Sequence, residues 1–263
     1  MPRQQHLTID PNSKKALLKS EKCIKTIPAG HISQAAANMV DLHEKNNVTI
    51  SESAYHCITQ AALPMNIPIS DPLSLQIGLQ VSGNRAIYRW KNNSKVNFAA
   101  FAEGYLTSDQ ALYAASMLKK AGDEWNKLQL GVSFEWVSKI EDAAFVLAYG
   151  GDANSTLARG FFPNEQDLNM LYVYKGAFEP GRINYMKNIF LHELGHVLGL
   201  RHEFAPEREG GTVQLGPRNP DSVMSYVFPP DIQTTDVEST QQFYSLTVTE
   251  IQGWPIDDCV PNN

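Results

Sequence analysis

The eleven residues His192-Glu193-Leu194-Gly195-His196-Val197-Leu198-Gly199-Leu200-Arg201-His202 hold three of the chain's seven histidines and one carboxylate. His192 and His196 are four apart, so on a helix both project from one face and can grip one ion. Glu193 lies beside that face, where it can reach a water on the metal without binding the metal itself. Gly199 can take the left-handed conformation that ends a helix, and the returning chain then offers His202 as a third nitrogen. Three ligands leave a fourth position open, which separates a catalytic zinc from a closed structural one. The bland alternative, an amphipathic helix with two surface histidines, explains neither Gly199 nor His202.

The elements that must hold this group are legible in outline. Arg182–Leu200 is the helix carrying the ligands, with Phe190, Leu191, Leu194, Val197 and Leu198 facing a core. Thr107–Leu128 is a long amphipathic helix capped by Thr107 or Ser108, with Ala111, Ala115, Leu118, Trp125 and Leu128 along its apolar stripe. Ala86–Trp90 and Lys95–Phe101 read as strands or a hairpin around Asn92-Asn93, and Val132–Val137 alternates as a strand. Ala143–Tyr149 is a continuous apolar run, as in a buried central strand, and Leu168–Tyr174 is a further strand. Loops dominate 203–233. Thr235-x-x-Glu238 and Thr247-x-x-Glu250 predict capping boxes of two short terminal helices.

Upstream, residues 1–30 are polar, basic and without periodicity, which predicts a mobile tail. Residues 31–80 read as a helical segment, with patterns at Ser33–Lys45 and Ser51–Leu63, followed by a linker marked by Pro64, Pro68 and Pro72. The catalytic unit is expected to span 83–258. By position alone, the region before it is expected to pack near the cleft and modulate access.

Composition narrows the function classes. Of 263 residues, 43% are hydrophobic and 19% charged, which suits one globular domain with extra segments or two small ones, with a catalytic core that folds without disulfide staples. A net charge of −6 offers no nucleic-acid-binding surface. No apolar run has signal-peptide or membrane-span length, so residence inside the cell or exit by an unrecognised route is expected. Three cysteines are too few for a disulfide framework. Asp152 and Asn154 sit in a glycine loop whose oxygens would suit calcium, with a plain turn as the commoner alternative.

The pattern His-Glu-x-x-His-x-x-Gly-x-x-His, followed by Ser222-Val223-Met224-Ser225-Tyr226, resembles the metzincin metallopeptidases. Glu203 directly after His202 is astacin-like, Ser225-Tyr226 is serralysin-like, and Leu157-Ala158-Arg159-Gly160-Phe161-Phe162-Pro163 is similar to a matrixin stretch. Arg159 stands where matrixins have a histidine for a second, structural zinc, so that ion is not carried over. Neither Cys23 nor Cys57 sits in a matrixin-type inhibitory motif. The resemblance implies an α+β, zincin-like domain with a twisted mixed five-stranded sheet, a long backing helix, an active-site helix and a Met-turn. It implies one catalytic Zn2+ on His192, His196 and His202, with Met224 as an apolar floor beneath it. Tyr226 would hydrogen-bond the tetrahedral intermediate, a task suited to a phenol that is neutral at pH 7. The expected activity is zinc-dependent endoproteolysis of protein or peptide substrates, with Glu193 as general base and the exposed edge of Leu168–Tyr174 holding the substrate. The competing reading is a catalytically silent zinc-binding protein that docks peptides or proteins.

Overall fold

A strand as apolar as Phe145–Tyr149 needs cover on both faces, and it has both. Phe145 and Leu147 turn to one core, Val146 and Ala148 to a second. The computed structural model describes residues 14–19, 25–31, 78–80, 86–209 and 211–263. The helices expected at 33–45 and 51–63, the proline-marked linker, Cys23 and Cys57 lie outside the described residues.

In chain order the first elements are α1 (Lys14–Lys19), β1 (Gly78–Gln80) and β2 (Ile87–Trp90). The main sheet is built from β3 (Ser94–Ala100), β4 (Val132–Trp136), β5 (Phe145–Tyr149), β6 (Ala158–Arg159) and β7 (Asn169–Val173), in the order β4-β3-β5-β7-β6. Every neighbouring pair is parallel except β6 with β7, so the sheet is mixed. The helix α2 (Ser108–Asn126) makes the crossover from β3 to β4, and its first turn is capped where the Gln110 N–H donates to Thr107 Oγ1 at 3.2 Å. Its buried face includes Ala111, Ala115, Leu118 and Trp125.

The helix α3 (Met186–Val197) packs on α2 and carries His192 and His196. It is shorter than the Arg182–Leu200 helix expected, because Ile183–Tyr185 form a 3-10 turn and Gly199 ends the helix at φ +94°. Four aromatic side chains tie this region to its neighbours through their polar tips. Trp125 donates to Leu191 O at 3.0 Å, Trp90 to Val197 O at 2.7 Å, Tyr244 to Leu198 O at 3.0 Å and Tyr113 to Ile183 O at 2.8 Å. The bonds to Val197 and Leu198 satisfy carbonyls that a helix end leaves without an intrahelical partner.

Beyond α3 come β8 (Leu200–Arg201), α4 (Ala205–Arg208), β9 (Thr212–Val213), α5 (Thr234–Ser245), β10 (Glu250–Ile251) and β11 (Trp254–Cys259). Two small sheets complete the architecture, β8-β1-β9 and β10-β11-β2.

Of the two readings of Ala86–Trp90 and Lys95–Phe101, strands or a hairpin, the structure has the strands: β2 pairs with β11 and β3 with β4 and β5, so the turn at Asn93 (φ 65°) hands the chain from one sheet to another. Other expectations need correction. Thr247–Glu250 caps no helix. Gln252 and Gly253 both have positive φ, 52° and 78°, and this two-residue turn joins β10 to β11 as a hairpin. Leu168–Tyr174 is not an edge, since β7 lies between β5 and β6; β6 is the edge. Nor are all of residues 1–30 a mobile tail. Ile27 N–H donates to Ala100 O at 2.8 Å, Ala102 N–H donates to Lys25 O at 2.9 Å, and Leu17 of α1 is buried in the second core. Because β1 pairs with both β8 and β9, the folded unit also reaches upstream of residue 83.

Candidate metal centre

His192 and His196 leave α3 one turn apart, and their Nε2 atoms stand 3.2 Å from each other. His202 joins them after the left-handed turn at Gly199. A Cβ on that glycine would come within 2.7 Å of Tyr88 O, so both its φ and its surroundings exclude a side chain. One ligand atom from each of the three rings lies within 4.8 Å of the others, and all three residues are buried.

The donor set fits a tetrahedral cation. Zinc–nitrogen bonds of about 2.0–2.1 Å place two tetrahedral ligand nitrogens about 3.3–3.4 Å apart, close to the His192–His196 separation. Each ring is fixed through Nδ1: His192 to Val223 O at 2.7 Å, His196 to Leu200 O at 2.7 Å and His202 to Glu209 Oε1 at 2.6 Å. Carbonyl and carboxylate oxygens only accept hydrogen bonds, so Nδ1 carries the proton and Nε2 keeps its lone pair for a metal. Burial, with His202 adding to it, pushes His192 down to about 3. Burial and the neighbouring His202 and His192 hold His196 well below the ordinary imidazole range. Both rings are therefore neutral at pH 7, as ligands must be.

Glu193, on the same helix, is fully buried, and its Oε2 accepts the Gly160 N–H at 2.5 Å. Gly160 follows the edge strand β6. A Cβ there would lie 2.8 Å from Glu193 O and 3.1 Å from Glu193 Oε2, so the approach of β6 to α3 requires glycine. Phe162 sets its ring edge-on to His196 at 5.4 Å.

Residues 222–225 form a tight turn under the histidines. Ser225 N–H donates to Ser222 O at 2.8 Å, and Met224 O accepts from Glu203 N–H at 3.0 Å. Asp236 of α5 anchors the turn, accepting from Ser222 Oγ at 2.6 Å, Val223 N at 2.8 Å and Gln233 N at 2.9 Å. Burial raises its carboxyl above the usual range, against the pull of those three donors. Tyr226 is half-buried, its ring 4.9 Å from that of His202 and 6.4 Å from that of His192. Glu203 turns from the rings toward Asn219, whose N–H it accepts at 2.6 Å; burial pushes this carboxyl up to about 7.

The structure thus brings His192, Glu193, His196, His202, Met224 and Tyr226 into one neighbourhood. Sequence reasoning missed Gly160, Glu209 and Asp236. Asp236 had a signal, the pair Gln233-x-x-Asp236 that forms the capping box of α5, two residues before the Thr235-x-x-Glu238 pair chosen. Glu209 lies in a stretch without periodicity, and no sequence pattern marks it. The calcium expectation gains no geometric support: Asp152 pairs with Lys175 Nζ at 3.1 Å and accepts Asn154 N–H at 3.2 Å, a turn held by its own side chain.

Residues 164–251 match the family model of reprolysin-like metallopeptidases of family M12B. The matched third of the chain contains α3, all three histidines, the 222–225 turn and α5. No curated protein matches the chain. The matched segment is thus similar to a metallopeptidase, and it contains a three-histidine group able to hold a metal ion. Among the described residues no helix is long and apolar enough to cross a membrane.

Proposed function

We propose that this protein is a zinc-dependent endopeptidase in which His192, His196 and His202 hold the metal and Glu193 is the general base. The observation that carries this reading is the convergence of three buried imidazoles beside a carboxylate fixed by a backbone N–H. Zinc, when bound, supplies Lewis-acid chemistry, polarising a carbonyl and lowering the pKa of water from about 15.7 towards about 7.

The chain's own residues do the rest. Gly160 N–H fixes the rotation of the Glu193 carboxylate by holding Oε2. Glu193 takes a proton as water oxygen attacks the scissile carbonyl carbon, then delivers it to the amine nitrogen as the C–N bond breaks. Tyr226 donates its hydroxyl proton in a hydrogen bond to the carbonyl oxygen as that atom gains charge. The outer edge of β6, rather than β7, binds an extended peptide by strand addition, which asks little of its sequence and nothing of its termini. Gly160 at the end of that edge touches the base, so docking and chemistry meet at one residue.

The test uses the full chain, a peptide library and a zinc chelator. Chelator-sensitive internal cleavage by the native protein, lost in Glu193→Gln while zinc is retained, is the expected result. Stoichiometric zinc without any cleavage would favour the silent binding protein instead.

A further inference from the structure

The three rings are not anchored alike. His192 and His196 donate from Nδ1 to neutral main-chain carbonyls, and both are positioned by one helix. His202 belongs to no helix. Its Nδ1 meets a carboxylate, Glu209 Oε1, at 2.6 Å. The other carboxylate oxygen, Oε2, accepts from Arg201 Nε at 3.1 Å and pairs also with Nη2 of the same guanidinium. Arg201, directly before His202 in β8, is itself buried. Glu209 is fixed from its own side as well, because its N–H donates to Ala205 O at 2.9 Å at the end of α4.

We infer that Glu209 is a positioning residue for His202, aiming its Nε2 at His192 and His196 and raising its electron density as a metal ligand. This rests on the zinc reading above. Two features of the chain favour it over a merely structural ion pair. A carboxylate polarises an imidazole N–H more strongly than a carbonyl does, and ligating histidines owe orientation and basicity to such partners. Arg201 would leave an uncompensated buried charge without Glu209, so its presence makes a buried carboxylate at this place tolerable. Phe204, stacked on the His202 ring at 5.0 Å and 11°, limits ring tilt but not the choice of ring nitrogen. That choice falls to Glu209.

The experiment measures zinc affinity of the full-length protein by competition with a chelating dye, and the visible spectrum of the cobalt-substituted form. Glu209→Gln keeps an oxygen acceptor of the same reach but loses the charge. It should weaken zinc binding about 10–100-fold and shift the cobalt bands. Glu207→Gln, on the same short helix but exposed and paired with Arg218, should match the native protein. Glu209→Asp keeps the charge beside Arg201 but falls short of Nδ1; it should also weaken binding and serves if the glutamine variant does not fold. Native affinity and native cobalt bands in the Glu209 variants would overturn the inference while leaving the metal centre standing. A native protein that takes up no zinc would overturn both.

Discussion

A Cβ placed on Gly195 would lie 2.3 Å from Met224 Sδ. The helix that carries the histidines and the turn beneath them are thus in contact at the one α3 position where a side chain is missing. In an exposed helix interior, replacing glycine by alanine gains about 1 kcal/mol. Here the added methyl overpacks a buried contact, at a cost of about 1–3 kcal/mol. Met224 cannot simply swing aside, since it is buried and the same Cβ would lie 3.7 Å from the Trp125 ring. Gly195→Ala should therefore lower stability despite its better helix propensity, as read from the midpoint of chemical denaturation. A midpoint equal to or above that of the native protein would show that Met224 is not a fixed support.

Asp236 anchors the same turn from the other side, and Val223, which it holds through N–H, offers its carbonyl to His192. Asparagine would present an NH2 group where a donor already points. A buried donor left unsatisfied costs about 1–3 kcal/mol. Asp236→Asn should lose stability of that order, and zinc affinity should fall with it because the His192 anchor moves. Native zinc affinity in a destabilised variant would separate the turn from the metal centre.

How much of this was readable beforehand divides by the range of the interactions. The histidine spacing, the cap at Thr107 or Ser108 and the apolar run at 143–149 are local patterns, and each gave the right element. Most of the failures are non-local. Nothing in Ala86–Phe101 says that its two strands pair with different partners far along the chain. The antiparallel edge strand β6 is two residues long, too short for any period to show. At the site, residues with ligand chemistry announced themselves. Gly160, which meets Glu193 through space, lay in a stretch noted only for its likeness to matrixins, and Glu209, which meets His202, carried no sequence signature. One failure was local: Thr247-x-x-Glu250 fits a capping box by residue type, yet Glu250 lies in β10.

Leu17 and Ile27 belong to the folded core. Leu17 is 6% exposed and Ile27 4%. Large-to-small substitution at buried aliphatic sites costs about 2–5 kcal/mol. Leu17→Ala and Ile27→Ala are each expected to cost about 2 kcal/mol. Losses below about 0.5 kcal/mol, the scale of surface substitutions, would place these residues outside the cooperative unit. A deletion of residues 1–81 would also remove β1, the central strand beside β8. Lost activity after such a deletion therefore reports damage to the fold, not removal of a regulator.

Cys259 is buried in β11, and its thiol is pushed up to about 12, by burial first and then by the carboxylates of Asp257, Glu165 and Asp258. Only the thiolate is nucleophilic, so at pH 8 about one molecule in 10,000 would present a reactive sulfur there. Iodoacetamide followed by peptide mapping should leave Cys259 unmodified in the native protein and alkylate it in denaturant. The strand pairs in parallel with β2, where Cys259 stands in register with Trp90, whose indole N–H holds the C-terminal end of α3. Alkylation of Cys259 under native conditions would mean that this sheet opens and that the end of the ligand helix is less firmly held than its hydrogen bonds imply.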